Sequence, residues 1–250
     1  MFVFFMSLGF LTSCLGTTQK ERKQAEIQYD LGVNELKLGK IPEAMNFFTE
    51  SLKLFPEFPP AENGLGLSLY FLGKFQQALK HFRRALELNP KYSEVRNNMA
   101  RVYLSLGRYR EAIPILKKAL EDVFLPDSYL AESNLGWALF NVGKQKEGIK
   151  LVMESLAKNE NYCIGYQYLA LMYKKQKRYD DSLREFGNVV KKCPEYPQGH
   201  LNKGKLHLMM GQVDWGCAEL NQCRDLGRMT PVGQECDHLI RISCPSRPNP

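Results

Sequence analysis

The sequence predicts an all-α fold: a right-handed α-solenoid of six repeated helix pairs, closed by a C-terminal capping helix. Three observations predict it. Glycines placed to end a helix stand at Gly39, Gly73, Gly107, Gly143 and Gly211, spaced by 34, 34, 36 and 68 residues, with Lys177 at the missing position midway through the last gap. Small residues recur at two fixed places in each period, and proline recurs near its end. The segments between carry apolar residues at i, i+3, i+4 spacing, the pattern of helices with one buried face.

Aligned on the glycines, the repeats occupy 25–58, 59–92, 93–126, 129–162, 163–196 and 197–230, with two extra residues between the third and fourth. A 34-residue period is that of the tetratricopeptide repeat. Its positions 7 and 8, a large apolar residue and then a small one, are Leu31-Gly32, Leu65-Gly66, Met99-Ala100, Leu135-Gly136 and Leu169-Ala170. The small residue lets the two helices of a pair approach closely. Position 20, small in the second helix, is Ala44, Ala78, Ala112, Gly148 and Ser182, and the apolar position 24 is Phe48, Phe82, Leu116, Val152, Phe186 and Leu220. Pro56, Pro90 and Pro194 stop the second helix, because proline donates no N–H and its ring clashes with the preceding turn. One helix pair cannot bury both of its faces, so neighbours must stack on it and the stack must end in a cap. Lys203, standing where the sixth repeat should be apolar, marks the transition to that cap. Thr230-Pro231 supplies an N-cap and a first-turn proline for a capping helix over 231–242, ending before Cys244-Pro245 and leaving 243–250 as a tail whose last residues, 246–250, are disordered.

The N-terminus reads as an address. Residues 1–13 form an apolar stretch too short to span a bilayer but suited to a secretory signal. It ends in Leu11-Thr12-Ser13-Cys14, which resembles a bacterial lipobox and implies that Cys14 is lipidated and becomes the first mature residue. Several acyl chains on one N-terminus anchor a protein durably, where a single chain binds only marginally. Residues 14–24 then form a structureless tether, and Leu15, in place of an aspartate, implies sorting to the periplasmic face of the outer membrane by resemblance to enterobacterial lipoproteins. No Lys or Arg precedes Cys14, so the native start is expected upstream of Met1. Beyond residue 13 no apolar run approaches the roughly 20 residues of a membrane helix. A hydrophobic fraction of 44% with 24% charged residues is that of a folded body. The net charge of +7 is spread along the chain without a nucleic-acid-binding motif, so no nucleic-acid partner is expected.

Six cysteines remain after Cys14, an even number in a chain expected to fold where disulfides persist. If the last repeat and the cap form a hairpin turning near residue 229, Cys223 faces Cys236 and Cys217 can reach Cys244. Helix phase complicates this, since Cys217 and Cys223 lie about 120° apart on their helix. Cys163 and Cys193 sit at the start and finish of one helix pair and can close it. Free buried thiols are the alternative for any pairing, and a zinc site with His238 is a rival that the spacings do not match. His81, His200, His207 and His238 stand in no catalytic motif. No enzyme activity, metal, cofactor or small-molecule substrate is expected.

The stretches Arg96-Asn97-Asn98-Met99-Ala100, Gly107-Arg108-Tyr109-Arg110-Glu111-Ala112, Leu120-Glu121-Asp122, Phe124-Leu125-Pro126 and Ala131-Glu132-Ser133-Asn134-Leu135-Gly136 carry a further resemblance. They resemble the type IV pilus biogenesis lipoproteins called PilF, PilW or Tgl, with the cysteine-rich C-terminal segment most similar to Tgl. The resemblance spans the expected mature chain. It implies a pilotin: a lipoprotein that binds subunits of the pilus secretin (PilQ-like) and promotes their membrane insertion and multimerisation, and with it pilus assembly and twitching motility. The alternative is an adaptor for peptidoglycan hydrolases, resembling the NlpI-type lipoproteins. For either role the expected binding surface is a concave groove lined by first-helix positions 2, 5, 9, 12 and 13. Those positions hold Asn63, Tyr70 and Phe71; Asn97 and Arg101; Trp137, Phe140 and Asn141; and Gln167, Lys174 and Lys175. Aromatics beside amides and cations can anchor a partner and hydrogen-bond its backbone together.

Overall fold

A computed structural model describes residues 18–244; the expected signal segment over 1–13, the expected lipidation site Cys14 and the chain from residue 245 lie outside the described residues. Within them the chain forms thirteen α-helices: α1 (Gln19–Lys37), α2 (Ile41–Leu54), α3 (Pro59–Phe71), α4 (Phe75–Leu88), α5 (Ser93–Ser105), α6 (Tyr109–Leu120), α7 (Ser128–Asn141), α8 (Gln145–Lys158), α9 (Cys163–Lys175), α10 (Tyr179–Lys192), α11 (Pro197–Met209), α12 (Val213–Leu226) and α13 (Pro231–Ser243). The chain divides into two compact units between Val102 and Tyr103. Among the described residues no helix is long and apolar enough to cross a membrane.

The turn inside each helix pair is built the same way six times. The N–H of the residue after the turn glycine returns to a carbonyl five residues back: Lys40 to Glu35, Lys74 to Leu69, Arg108 to Tyr103, Lys144 to Leu139, Arg178 to Tyr173 and Gln212 to His207. This satisfies a carbonyl that the helix end leaves orphaned, and it requires a left-handed residue before it. Gly39, Gly73, Gly107, Gly143 and Gly211 supply that conformation, and Lys177 adopts it with φ 61° because the same bond demands it.

In the N-terminal unit Phe48 fills the space between α1, α2 and α3. It is fully buried, packed with Ala44 and Leu65 and flanked by Tyr29 and Val33. Its ring fits only because Gly32 and Gly64 lack side chains: a Cβ at either would come within 2.7 and 2.6 Å of the ring. Phe82 meets Gly66 in the same manner.

In the C-terminal unit α7 and α8 touch backbone to backbone, since a Cβ on Gly148 would stand 2.5 Å from the Gly136 carbonyl oxygen. Successive clusters then centre on Val152, Leu169 and Met172, on Phe186, Val189 and Leu206, and on Leu201, Leu220, Cys223 and Cys236. Ser182 at the small position of α10 is fully buried and donates its hydroxyl to the Ala170 carbonyl, so its polarity costs little there. Thr230 caps α13 by accepting the N–H of Gly233 at 3.2 Å.

Two expected boundaries are corrected. The tether does not extend to residue 24, because α1 begins at Gln19. Thr18 accepts the N–H of Glu21, and the Glu21 carboxylate accepts the N–H of Thr18 at 2.7 Å, a reciprocal capping box that satisfies two donors. At the other end α13 runs to Ser243, and Cys244 is held by a disulfide, so the tail is shorter than 243–250.

Candidate functional site

Three disulfide bonds join Cys163 to Cys193, Cys217 to Cys244 and Cys223 to Cys236, with Cα atoms 6.2, 5.8 and 6.1 Å apart. The first ties the start of α9 to the end of α10, and the other two tie α12 to α13. Among the described residues no group of three His, Cys, Asp or Glu side chains is placed to hold a metal ion.

On the first helices of the N-terminal unit, Tyr70 forms the centre of an aromatic group. Phe71 stands edge-on at 5.6 Å, Phe75 lies tilted at 5.9 Å, and the Arg101 guanidinium sits 4.8 Å above the Tyr70 ring. Such a stack holds an arginine in a defined place while its remaining donors face outward. Phe71 is 54% exposed. Arg101 also donates to the Asn98 side-chain oxygen at 3.5 Å, Asn98 donates to the Asn63 side-chain oxygen at 3.1 Å, and Asn63 donates to Glu94 at 3.4 Å. Burial first, and then the Glu94 charge, push the Tyr92 and Tyr29 phenols above their ordinary range, so both are neutral beside this chain of amides.

On the first helices of the C-terminal unit the centre is Trp137, which is half-buried. Tyr168 stacks parallel to it at 5.1 Å, Phe140 is parallel at 6.4 Å, and Tyr109 meets its edge at 6.4 Å. The Lys175 ammonium lies 5.1 Å from the Trp137 ring centroid and donates to the Asn141 side-chain oxygen. Asn141 in turn donates to the Trp137 carbonyl at 2.8 Å, and the Tyr168 hydroxyl donates to Asn134 at 3.1 Å. Lys174 is half-buried beside Lys175, and the Gln167 side-chain oxygen is buried without a hydrogen-bond donor.

The expected groove is therefore divided. Tyr70, Phe71, Arg101, Trp137, Asn141, Gln167, Lys174 and Lys175 are at least partly accessible. Asn63, Asn97 and Phe140 are not: they are 3%, 6% and 3% exposed. Phe140 packs on Val152, Leu156 and Met172, and Asn63 bridges α3 to α5, so these positions hold neighbouring helices together instead of meeting a ligand. Trp137 does both, presenting one part of the indole outward and packing the rest against the same core.

A charged cluster in the sixth repeat has no counterpart in the sequence reading. Glu219 of α12 accepts from His200 at 2.7 Å and from Lys203 at 2.6 Å, both on α11, and the second His200 nitrogen faces the Pro194 carbonyl at 3.0 Å. Lys203 stands at an apolar position because this carboxylate neutralises it. The hydrogen bond to Glu219 holds His200 above its ordinary value of 6.5; burial opposes it, and the Pro194 carbonyl adds to it. Burial raises the Glu219 carboxyl, but the bonds from His200 and Lys203 outweigh that and keep it low. A folded-state value raised above the unfolded one stabilises the fold below pH 6.5 and is lost as pH rises through the folded value. Thermal midpoints measured from pH 6 to pH 9 are thus expected to fall more steeply for the native chain than for His200→Gln. Equal slopes would show that the imidazolium contributes nothing.

Two tetratricopeptide-repeat family models match the chain, one over residues 29–93 and one over residues 72–131. No curated protein matches it in sequence. Among solved structures it is similar to PilW, a widely conserved type IV pilus biogenesis factor, with a TM-score of 0.68 and 20% identity over 84% of this chain and 97% of that one. It is similar to PilF of Pseudomonas aeruginosa with a TM-score of 0.63 and 19% identity over 88% and 99%. The hetero-tetramer Cut9–Hcn1 of the APC/C matches at 0.73 and 19% identity, over 91% of this chain and 44% of that one. At such identities the likeness is one of fold, shared by proteins of different roles. The helix pairs, their common turn and these matches agree: the chain has the tetratricopeptide-repeat fold.

Proposed function

We propose that this chain is an assembly factor of the type IV pilus. It is anchored through a lipid on Cys14 at the periplasmic face of the outer membrane, where it binds secretin subunits and promotes their insertion and multimerisation. The observation that carries the proposal is the accessible aromatic, amide and cationic composition of the first-helix faces, centred on Tyr70 and Arg101 in one unit and on Trp137 and Lys175 in the other. These are the groups that anchor a protein segment in a binding surface. The choice of partner is supported by the resemblance of residues 96–136 to the pilus lipoproteins. A fold likeness spanning nearly all of PilW and PilF supports it too.

Deleting the gene is expected to convert the secretin from heat-resistant multimers to monomers on an immunoblot of the cell envelope. The native gene should restore the multimers. Cys14→Ala should leave the protein folded but shift it out of the outer-membrane fraction, with multimers reduced accordingly. Multimers of normal intensity in the deletion strain overturn the proposal.

A further inference from the structure

The first helices of the C-terminal unit differ in charge from the rest. α9 and α11 contain no Asp or Glu, and α7 contains one, Glu132, which is paired with Lys158. On α11, Lys203 is paired with Glu219 and Lys205 with Glu235. On α9, by contrast, neither Lys174 nor Lys175 has a carboxylate partner among the described residues; Asp181, shortly beyond that helix, pairs with Arg178 and Arg184 instead. Lys175 is nonetheless held in place, by the Trp137 ring and the Asn141 oxygen, both neutral. An ammonium fixed by neutral groups keeps its charge available, and little further side-chain entropy is lost when an anion meets it.

Resting on the reading of the first-helix face as the binding surface, we infer that the C-terminal unit recognises an extended acidic segment of its partner. An Asp or Glu side chain, or a terminal carboxylate, lies against Lys174 and Lys175. An apolar residue of the segment covers the outer part of Trp137. The partner of this half of the protein is thus a protein segment with net negative charge.

The test is selection from a display library of random linear peptides against the full-length native chain in detergent, repeated with Lys174→Glu/Lys175→Glu and with Trp137→Phe. The native chain is expected to enrich peptides rich in Asp and Glu. Their affinity should fall about tenfold or more in the double variant and weaken with added salt, since Lys175 is exposed and Lys174 only half-buried, so ions in solution screen both. The double variant should in turn select Lys- and Arg-containing peptides. Peptides that bind in a Trp137-dependent way but show no acidic bias, or that keep their affinity in the double variant, overturn the inference and leave the binding surface standing. Selection yielding no peptide sensitive to Trp137 or to the two lysines overturns both.

Discussion

Phe48→Ala is expected to lower the stability of the N-terminal unit by about 3–5 kcal/mol, the usual result of removing a fully buried phenyl ring. The cost should lie at the upper end, because the cavity cannot collapse easily. Its walls are the backbones of α1 and α3 at Gly32 and Gly64, which approach the ring directly and have no side chains to swing into the void. The reciprocal change tests the same packing from the other side. Gly64→Ala places a methyl 2.6 Å from the ring, so either the ring must leave its position or α3 must move away from α2. Both variants should unfold at lower urea than the native chain, and together they should cost less than the sum of the two, since the alanine methyl fills part of the space the ring vacates. A loss below about 1 kcal/mol for Phe48→Ala would mean that this contact is not what holds the first two helix pairs together.

Much of this was legible in the residues, because the tetratricopeptide repeat is local. Each turn needs a left-handed residue at a fixed place, so glycine marks it, and even Lys177 was assigned to its place by spacing alone; the structure puts it at φ 61°. Gly32, Ala44 and Phe48 read as a small–small–large set because the close approach of two helices leaves room for nothing else. The start of α1 was also written in the chain, as the Thr-x-x-Glu pattern at Thr18 and Glu21, but polar residues around it read as a tether when weighed by composition. The site was less legible. Helical phase assigns a residue to a face, and Asn63, Asn97 and Phe140 are on the first-helix face as expected. Whether such a residue reaches solvent depends on what packs over it: all three are buried, Phe140 against Val152, Leu156 and Met172, while Trp137 stays half open. Pairing of charges was beyond reach for a related reason. Lys203 and Glu219 are separated by a whole turn and about half of each of two helices, so nothing in their spacing announces that one neutralises the other.

Replacing Cys223 and Cys236 together by alanine is expected to destabilise the C-terminal unit by about 3 kcal/mol or more. The bond closes a loop with a sequence separation of 13, and the entropy it removes from the unfolded chain is worth about 3 kcal/mol for a loop of that size. Packing adds to this, since both sulfurs are fully buried in the cluster of Leu201 and Leu220 that joins α11 and α12 to the cap. Besides the bond, α13 is held by Val232, Leu239 and Ile240 packing on that cluster, by Gly233 against the Gly227 carbonyl, and by Lys205, which reaches Glu235 from α11. The Cys217–Cys244 bond holds its far end, so the double variant should fray the cap from its N-terminal side while the last turn remains tethered. Hydrogen exchange should therefore rise in α13 before it rises in α11 and α12, and urea unfolding of the C-terminal unit should shift to lower denaturant. Purified protein denatured without reductant should show almost no free thiol. More than two free thiols per chain, or a double variant as stable as the native chain, would remove the disulfides from the account of how the cap is held.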